Sequence, residues 1–183
     1  MFAIVDIETT GGFISGNHIT EIAIVLHDGN QIQNSFTTLL NPGVPIPPFI
    51  TSLTGISNAM VASAPTFEEM AGVIHHWLQD KIFVAHNVSF DFPFVLDGLR
   101  KNGLDLKEDR LCTVQLSRQV FPGLPSYSLG KLCRSLNISV QDRHRALGDC
   151  QATAILFDQI LKSGGRPLIS KKLRKPSLFS TID

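Results

Sequence analysis

Two carboxylates, Asp6 and Glu8, stand two residues apart near the end of an apolar run that begins at Phe2 and breaks at Gly11. Valine, isoleucine and phenylalanine favour an extended chain, along which side chains alternate. Phe2, Ile4, Asp6 and Glu8 therefore share one face, and Ala3, Val5 and Ile7 the other. Both faces begin apolar, the pattern of a central strand covered on both sides. Carboxylates taken out of water are costly unless paired or bound to a metal, and two side by side raise each other's pKa. No basic residue lies nearby in the sequence to relieve them, whereas a divalent cation would. Taken alone, the stretch also fits a strand that ends in an exposed acidic turn.

Two further segments carry residues of the same chemistry. Asn87-Val-Ser-Phe90-Asp91 lies between a short apolar run and a helical pattern. An Asp at a helix start is ordinary, since it satisfies free N–H groups and the dipole, and Ser89 could do this alone. Its location favours chemistry, because the run before it is expected to lie beside the first strand. His144-Arg-Ala-Leu-Gly-Asp149 opens the last long helix. Five residues along one helix turn by about 140°, so His144 must lie in the loop before the helix to meet Asp149. The three segments supply four carboxylates, one histidine and one asparagine. Four ionised carboxylates carry about −4, which two divalent cations would balance. Oxygen-only ligands suit Mg²⁺ or Mn²⁺ rather than zinc. His144 is then free to act as a general base, an imidazole titrating near about 6.5.

These residues need a scaffold. Ile19–Leu26 and Gln31–Leu40 read as strands joined at Asp28-Gly29, and the Pro45–Pro48 stretch as a surface crossover. Thr66-Phe-Glu-Glu69 is a capping box opening a helix to about Gln79. Ile82–Ala85 reads as a short buried strand, Ser89–Asn102 as a helix closed by Gly103, and Arg110–Val114 as a fifth strand. Shorter helices are expected at Val114–Val120 and Ser128–Leu136, and a long one at Arg145–Leu161, stopped by Gly164-Gly165. Three strands in meander, then strands alternating with helices, predict an α/β fold with a mixed sheet and helices on both faces. Parallel pairing of the first and fourth strands is expected to bring Glu8 beside His86 and Asn87, where open α/β sheets place ligands.

At 183 residues, 43% of them hydrophobic and 17% charged, the chain suggests one domain with an ample core. Cys112, Cys133 and Cys150 are odd in number and lack CxxC spacing, which reads as reduced core thiols in a cytoplasmic protein. No apolar run is long enough to span a bilayer, and no signal peptide is visible. Residues 1–163 carry a net charge of −4 and residues 164–183 a net of +4. The body is thus not a basic duplex-binding surface. Any nucleic acid would be gripped over a few nucleotides, with metal ions supplying positive charge. Residues 164–183 read as a basic tail or the start of a linker.

The three segments resemble, in order and spacing, the motifs of the DnaQ-like (DEDDh) 3′→5′ exonucleases within the ribonuclease H-like fold. Asp-x-Glu-Thr-Thr-Gly stands at Asp6–Gly11, Asn-x-x-Phe-Asp at Asn87–Asp91 and His-x-Ala-x-x-Asp at His144–Asp149. Leu53-Thr-Gly-Ile56 and Ala64-Pro-Thr66 are typical of the segment between the first two. The resemblance covers about residues 1–163 and implies a five-stranded mixed sheet. It also implies that Asp6, Glu8 and Asp149 ligate a first metal ion, and that Asp6 with Asp91 serves a second. His144 would deprotonate the attacking water. The backbone at Thr9 and Thr10 would meet the terminal nucleotide, and Phe90 and Leu53 would pack on its base. Gly12 and Phe13 depart from the Leu or Ile that many relatives carry after Gly11.

The implied activity is release of nucleoside 5′-monophosphates from single-stranded or frayed DNA 3′ ends, in proofreading or repair. Short or structured RNA is the alternative substrate. A non-catalytic nucleic-acid-binding module is a further reading, and it would predict a lost catalytic residue. A polymerase or sliding-clamp partner is expected to engage the tail, where Pro176-Ser-Leu-Phe179 faintly resembles a clamp-binding ending. Gly11–His18 echoes a phosphate-binding loop but has Asn17-His18 in place of Lys-Ser/Thr.

Overall fold

The computed structural model describes residues 1–140, 144–175 and 178–179. Among them, five strands form one mixed sheet in the order β3-β2-β1-β4-β5. β1 (Phe2–Thr9) is central, antiparallel to β2 (Ile19–His27) and parallel to β4 (Ile82–Ala85). β3 (Ile32–Leu39) is a largely exposed edge, and β5 (Arg110–Cys112) is the opposite edge. The expected five-stranded mixed sheet with helices on both faces is thus the fold observed.

Alternation along β1 sorts its side chains between two cores. Phe2 and Ile4 join Ala23, Val25 and Val84 under a long helix, α7 (Ala146–Ile160). Ala3, Val5 and Ile7 join Ile22, Ile24 and Phe83 under α3 (Phe67–Leu78) and α4 (Val88–Lys101). Asp6 and Glu8, in phase with Phe2 and Ile4, therefore point to the α7 side. The capping box at Thr66 forms as expected: Thr66 Oγ1 accepts from the Glu69 amide, and Glu69 accepts from the Thr66 amide. α5 (Thr113–Val120) and α6 (Leu129–Ser135) complete the α7 side.

Two expectations need correction, and one segment adds helices. The Pro45–Pro48 stretch stays irregular through Pro47, as expected, and Pro48 then opens a short helix, α1 (Pro48–Thr54), followed by α2 (Asn58–Val61), which were not foreseen. Proline at the first helical position loses no hydrogen bond, so it starts a helix as readily as it ends one. The β1–β4 register runs Phe2–Ile82 to Ile4–Val84. Extended two residues further it brings Asp6, not Glu8, level with His86. The packing also does not end at residue 163. Gly164, at φ +92°, kinks the turn Leu161–Gly165, and the chain continues as α8 (Arg166–Leu173). A side chain at Gly165 would meet the Ile160 carbonyl oxygen at 2.5 Å, so only glycine permits that return. Ile169 and Leu173 enter the α7 core, and the Arg166 guanidinium donates to the Gly29 carbonyl at 2.7 Å. Phe179 stacks on Phe2 with ring centroids 6.0 Å apart. At least these residues of the expected tail are part of the body. Pro176 and Ser177 lie outside the described residues.

Candidate active site

The acidic residues converge where β1 ends. One carboxylate oxygen from each of Asp6, Glu8 and Asp149 lies within 4.8 Å of the other two. Asp6 and Glu8 arrive on one face of β1, and Asp149 from the first turn of α7, which packs on that face. The interval from His144 to Asp149 works as the spacing required. Ala146 begins the helix, and His144 sits in the loop before it at φ +63°. In that left-handed turn the His144 amide donates to Asp149 Oδ2 at 2.9 Å, so the loop is tied to the carboxylate it precedes.

Asp91 reaches the cluster from the other layer. It lies buried in the first turn of α4, after a left-handed turn at Asn87, φ +82°, that redirects the chain from β4. Asparagine tolerates this conformation better than most residues. The Asn87 side chain accepts from Ser89 Oγ at 2.8 Å.

The electrostatics are those of buried carboxylates crowded together. Burial, then the charges of Asp91, Asp149, Glu8 and Glu21, holds Asp6 well above the ordinary carboxylate range. Burial and the charges of Asp149, Glu21 and Asp91 push Glu8 from 4.5 to about 8, with Arg145 opposing. Burial pushes Asp91 from 3.8 to about 8, and the amides of Asp91 itself and of Ile7 pull against it. Clustered oxygen donors, with the charged forms of Asp6, Glu8 and Asp91 destabilised, suit a hard divalent cation, which would reverse each of these shifts.

Glu21 was missed from sequence. It lies directly across from Glu8 in the β1–β2 pair and is only 3% exposed. Like charges opposite each other destabilise a sheet, but Glu21 is neutralised. Arg145 donates to it twice, at 2.6 and 3.0 Å, and the Ala146 amide a third time at 2.9 Å. Glu21 is therefore bound to the start of α7 and Glu8 is not, which leaves Glu8 for a cation. A charged residue inside the apolar run Ile19–Leu26 was the available signal.

The loop after β1 is closed by its own polar groups. Thr10 Oγ1 donates to Asn17 Oδ1 at 3.1 Å, and the Asn17 amide group donates to the Phe13 carbonyl at 2.8 Å. A side chain at Gly11 would meet Asn17 Oδ1 at 2.4 Å, so the closure requires glycine. Thr9 and Thr10 are buried and their hydroxyls are engaged within the loop, which leaves the backbone as their route to a ligand. Phe13 is 81% exposed and Leu53 is 52% exposed. Phe90 packs on Phe94 with centroids 5.3 Å apart. Next to Asn87, His86 Nε2 donates to the Tyr127 carbonyl at 3.0 Å, which leaves Nδ1 to accept from Thr113 Oγ1 at 2.8 Å. Burial holds this imidazole below its ordinary pKa, so His86 acts as a neutral strut between the end of β4 and the Tyr127 loop.

Known proteins resemble this chain over most of its length. A family model described as an exonuclease, RNase T, matches residues 3–157. The 3′-5′ exonuclease DinG of Bacillus subtilis (strain 168) is 41% identical over 163 residues, which are 88% of this chain and 18% of that protein. The DNA polymerase III subunit epsilon of Aquifex aeolicus (strain VF5) is 36% identical over 162 residues, covering 88% of this chain and 80% of that protein. The chain thus spans less than a fifth of the length of DinG and of the polymerase III PolC-type relatives. A solved structure of Exonuclease X in complex with 5′ overhanging duplex DNA superposes with a TM-score of 0.72 at 35% identity, covering 90% of this chain and 93% of that one. E. coli Exonuclease I bound to a dT13 oligonucleotide superposes at 0.81 with 17% identity, covering 94% of this chain and 45% of that one, a likeness of fold.

Proposed function

The chain belongs to the RNase T exonuclease family, a family of 3′→5′ hydrolases, and on that ground we propose that it removes nucleoside 5′-monophosphates from single-stranded or frayed DNA 3′ ends. The observation that carries the reading is the triad of Asp6, Glu8 and Asp149, with oxygens within 4.8 Å of one another and Asp91 charging the same site. Asp6, Glu8 and Asp149 would hold one Mg²⁺ or Mn²⁺ ion, and Asp6 with Asp91 a second. When bound, such ions supply the positive charge that stabilises an attacking hydroxide and a leaving 3′-oxygen.

The protein's own groups do the rest. His144, half-buried in the loop tied to Asp149, takes the proton of the attacking water as a neutral imidazole. The backbone at Thr9 and Thr10 meets the terminal nucleotide, with Leu53 and Phe90 against its base and Asn87 at the rim. An apolar wall accepts any base, because every base has a π-face. A paired terminus must unstack before it can enter, so mismatched ends are favoured.

The relatives support DNA over RNA: one is a DNA polymerase III subunit and another a nuclease solved in complex with DNA. The same relatives support the reading of a cytoplasmic proofreading or repair enzyme with a polymerase partner. Recruitment of a sliding clamp through Leu178-Phe179 loses support, because both side chains pack on the α7 core. A 5′-labelled single-stranded DNA oligonucleotide and its RNA equivalent, with Mg²⁺, Mn²⁺ or excess EDTA, test the reading. We expect a metal-dependent ladder shortening from the 3′ end, faster on DNA, and abolished in Asp6→Asn and Asp149→Asn. Digestion in EDTA, or release of the 5′ label first, would overturn it.

A further inference from the structure

A cluster of carboxylates repels the polyanion it is meant to cut, so the substrate strand must be held by positive charge elsewhere. Some cations of the chain are already committed. Arg100, Lys101, Lys107, Arg145, Lys162 and Lys175 pair with carboxylates. Among the described residues that make no ion pair are Arg118, Lys131 and Arg134, and all three are exposed.

These three come from two elements, Arg118 from α5 and Lys131 with Arg134 from α6, joined through the segment around Tyr127. Lys131 and Arg134, three apart on α6, face the same way and line an open hollow of about 270 Å³ together with Pro125, Ser126 and Ser135. Arg118 lies over the Tyr127 ring, 5.6 Å from its centroid. Tyr127 is the residue whose carbonyl accepts from His86, at the end of β4 and next to Asn87. α6 begins two residues after Tyr127 and rises about 1.5 Å per residue, so Lys131 and Arg134 stand roughly 4–9 Å along the helix from Ser128. The basic group is thus linked through Tyr127 and His86 to the end of β4, next to the acidic site.

We propose that Arg118, Lys131 and Arg134 form a track that grips the phosphates of single-stranded nucleic acid upstream of the scissile bond. The Ser126 and Ser135 hydroxyls add neutral donors to the hollow. The track reads backbone and not sequence. This rests on the proposed exonuclease function for the strand's direction, but not for the binding itself.

The test uses the full chain and the variant Arg118→Gln/Lys131→Gln/Arg134→Gln. Binding of fluorescent dT10 is followed by anisotropy in EDTA, where no turnover occurs. The variant should bind roughly 10- to 100-fold more weakly at low salt. Its slope of log K against log salt should be shallower by about 2, since each single-strand phosphate contact contributes about 0.7. In Mg²⁺, KM for a 10-mer should rise with kcat little changed, while turnover of a dinucleotide, too short to reach the track, stays at the native rate. Arg118→Lys/Lys131→Arg/Arg134→Lys should restore binding. Native affinity and salt slope in the glutamine variant would overturn the track. So would an equal loss on the dinucleotide, which would mean the residues act on the site's structure, or a failure of the charge-conserving variant to rescue. If dT10 binding depends on the track but the native protein cleaves nothing, the track stands and the exonuclease reading falls.

Discussion

Replacing Glu8 by Gln removes one charge from the acidic cluster while keeping the side chain's shape. Glu8 is the informative choice because its carboxyl is moved from 4.5 to about 8 by burial and by Asp149, Glu21 and Asp91. A folded-state pKa above the unfolded one means that the folded protein holds the proton while the unfolded chain releases it. Stability is therefore fully present below pH 4.5 and is lost as pH rises toward about 8. At about 1.36 kcal/mol per pKa unit, the metal-free protein loses at most about 4 kcal/mol at pH 7.5 through this group, and about 1 kcal/mol at pH 5. Glutamine has no such loss. Allowing half for relaxation and water entry, Glu8→Gln should gain about 2 kcal/mol at pH 7.5, or roughly 4–8 °C in Tm. At pH 5 it should gain almost nothing. Scanning calorimetry in EDTA at pH 5, 6, 7 and 8 reads the difference directly. With Mn²⁺ the order should reverse. The native cluster gains about 2.7 kcal/mol at a hundredfold excess over Kd, and the variant, one ligand short, gains less. A variant that melts at or below the native protein at pH 7.5 in EDTA, yet matches it at pH 5, would refute the idea that this cluster is held together against its own charge.

Three further outcomes follow from contacts already described. Arg145→Met should destabilise the fold by about 3 kcal/mol, because it leaves Glu21 buried without its cation, and should lower kcat as the His144 loop loosens; urea titration and single-turnover rates read the two effects. His144→Ala should lose most of its turnover yet keep the Mn²⁺-induced rise in Tm, and loss of that rise would make His144 a ligand instead of a base. Ending the chain at Ser163 removes Ile169, Leu173 and the Phe179 ring from the core, each apolar side chain being worth about 1.5–3 kcal/mol when fully buried. The truncated protein should therefore melt at least 5–10 °C lower, and an unchanged Tm would show that α8 docks without stabilising the body.

Much of the arrangement follows from rules that act within a few residues. Alternation alone puts Asp6 and Glu8 on one face with Phe2 and Ile4, and that face is the one α7 covers. The capping box at Thr66 is local by construction, and it forms as written. The count from His144 to Asp149 forces a loop before the helix, and the loop is there. What local rules could not reach were pairings between distant residues. Glu21 and Arg145 are 124 positions apart, and nothing near either one announces the partner. The β1–β4 offset that brings Asp6 level with His86 depends on how two strands slide past each other, which neither encodes alone. α8 was hidden because Gly164-Gly165 reads as a stop, and because Ile169 and Leu173 are too few to make a period among so many lysines. Only the folded body, by offering a groove beside α7 for those two side chains, makes that segment a helix. Burial decides such cases, and burial is a property of the whole chain and not of any stretch of it.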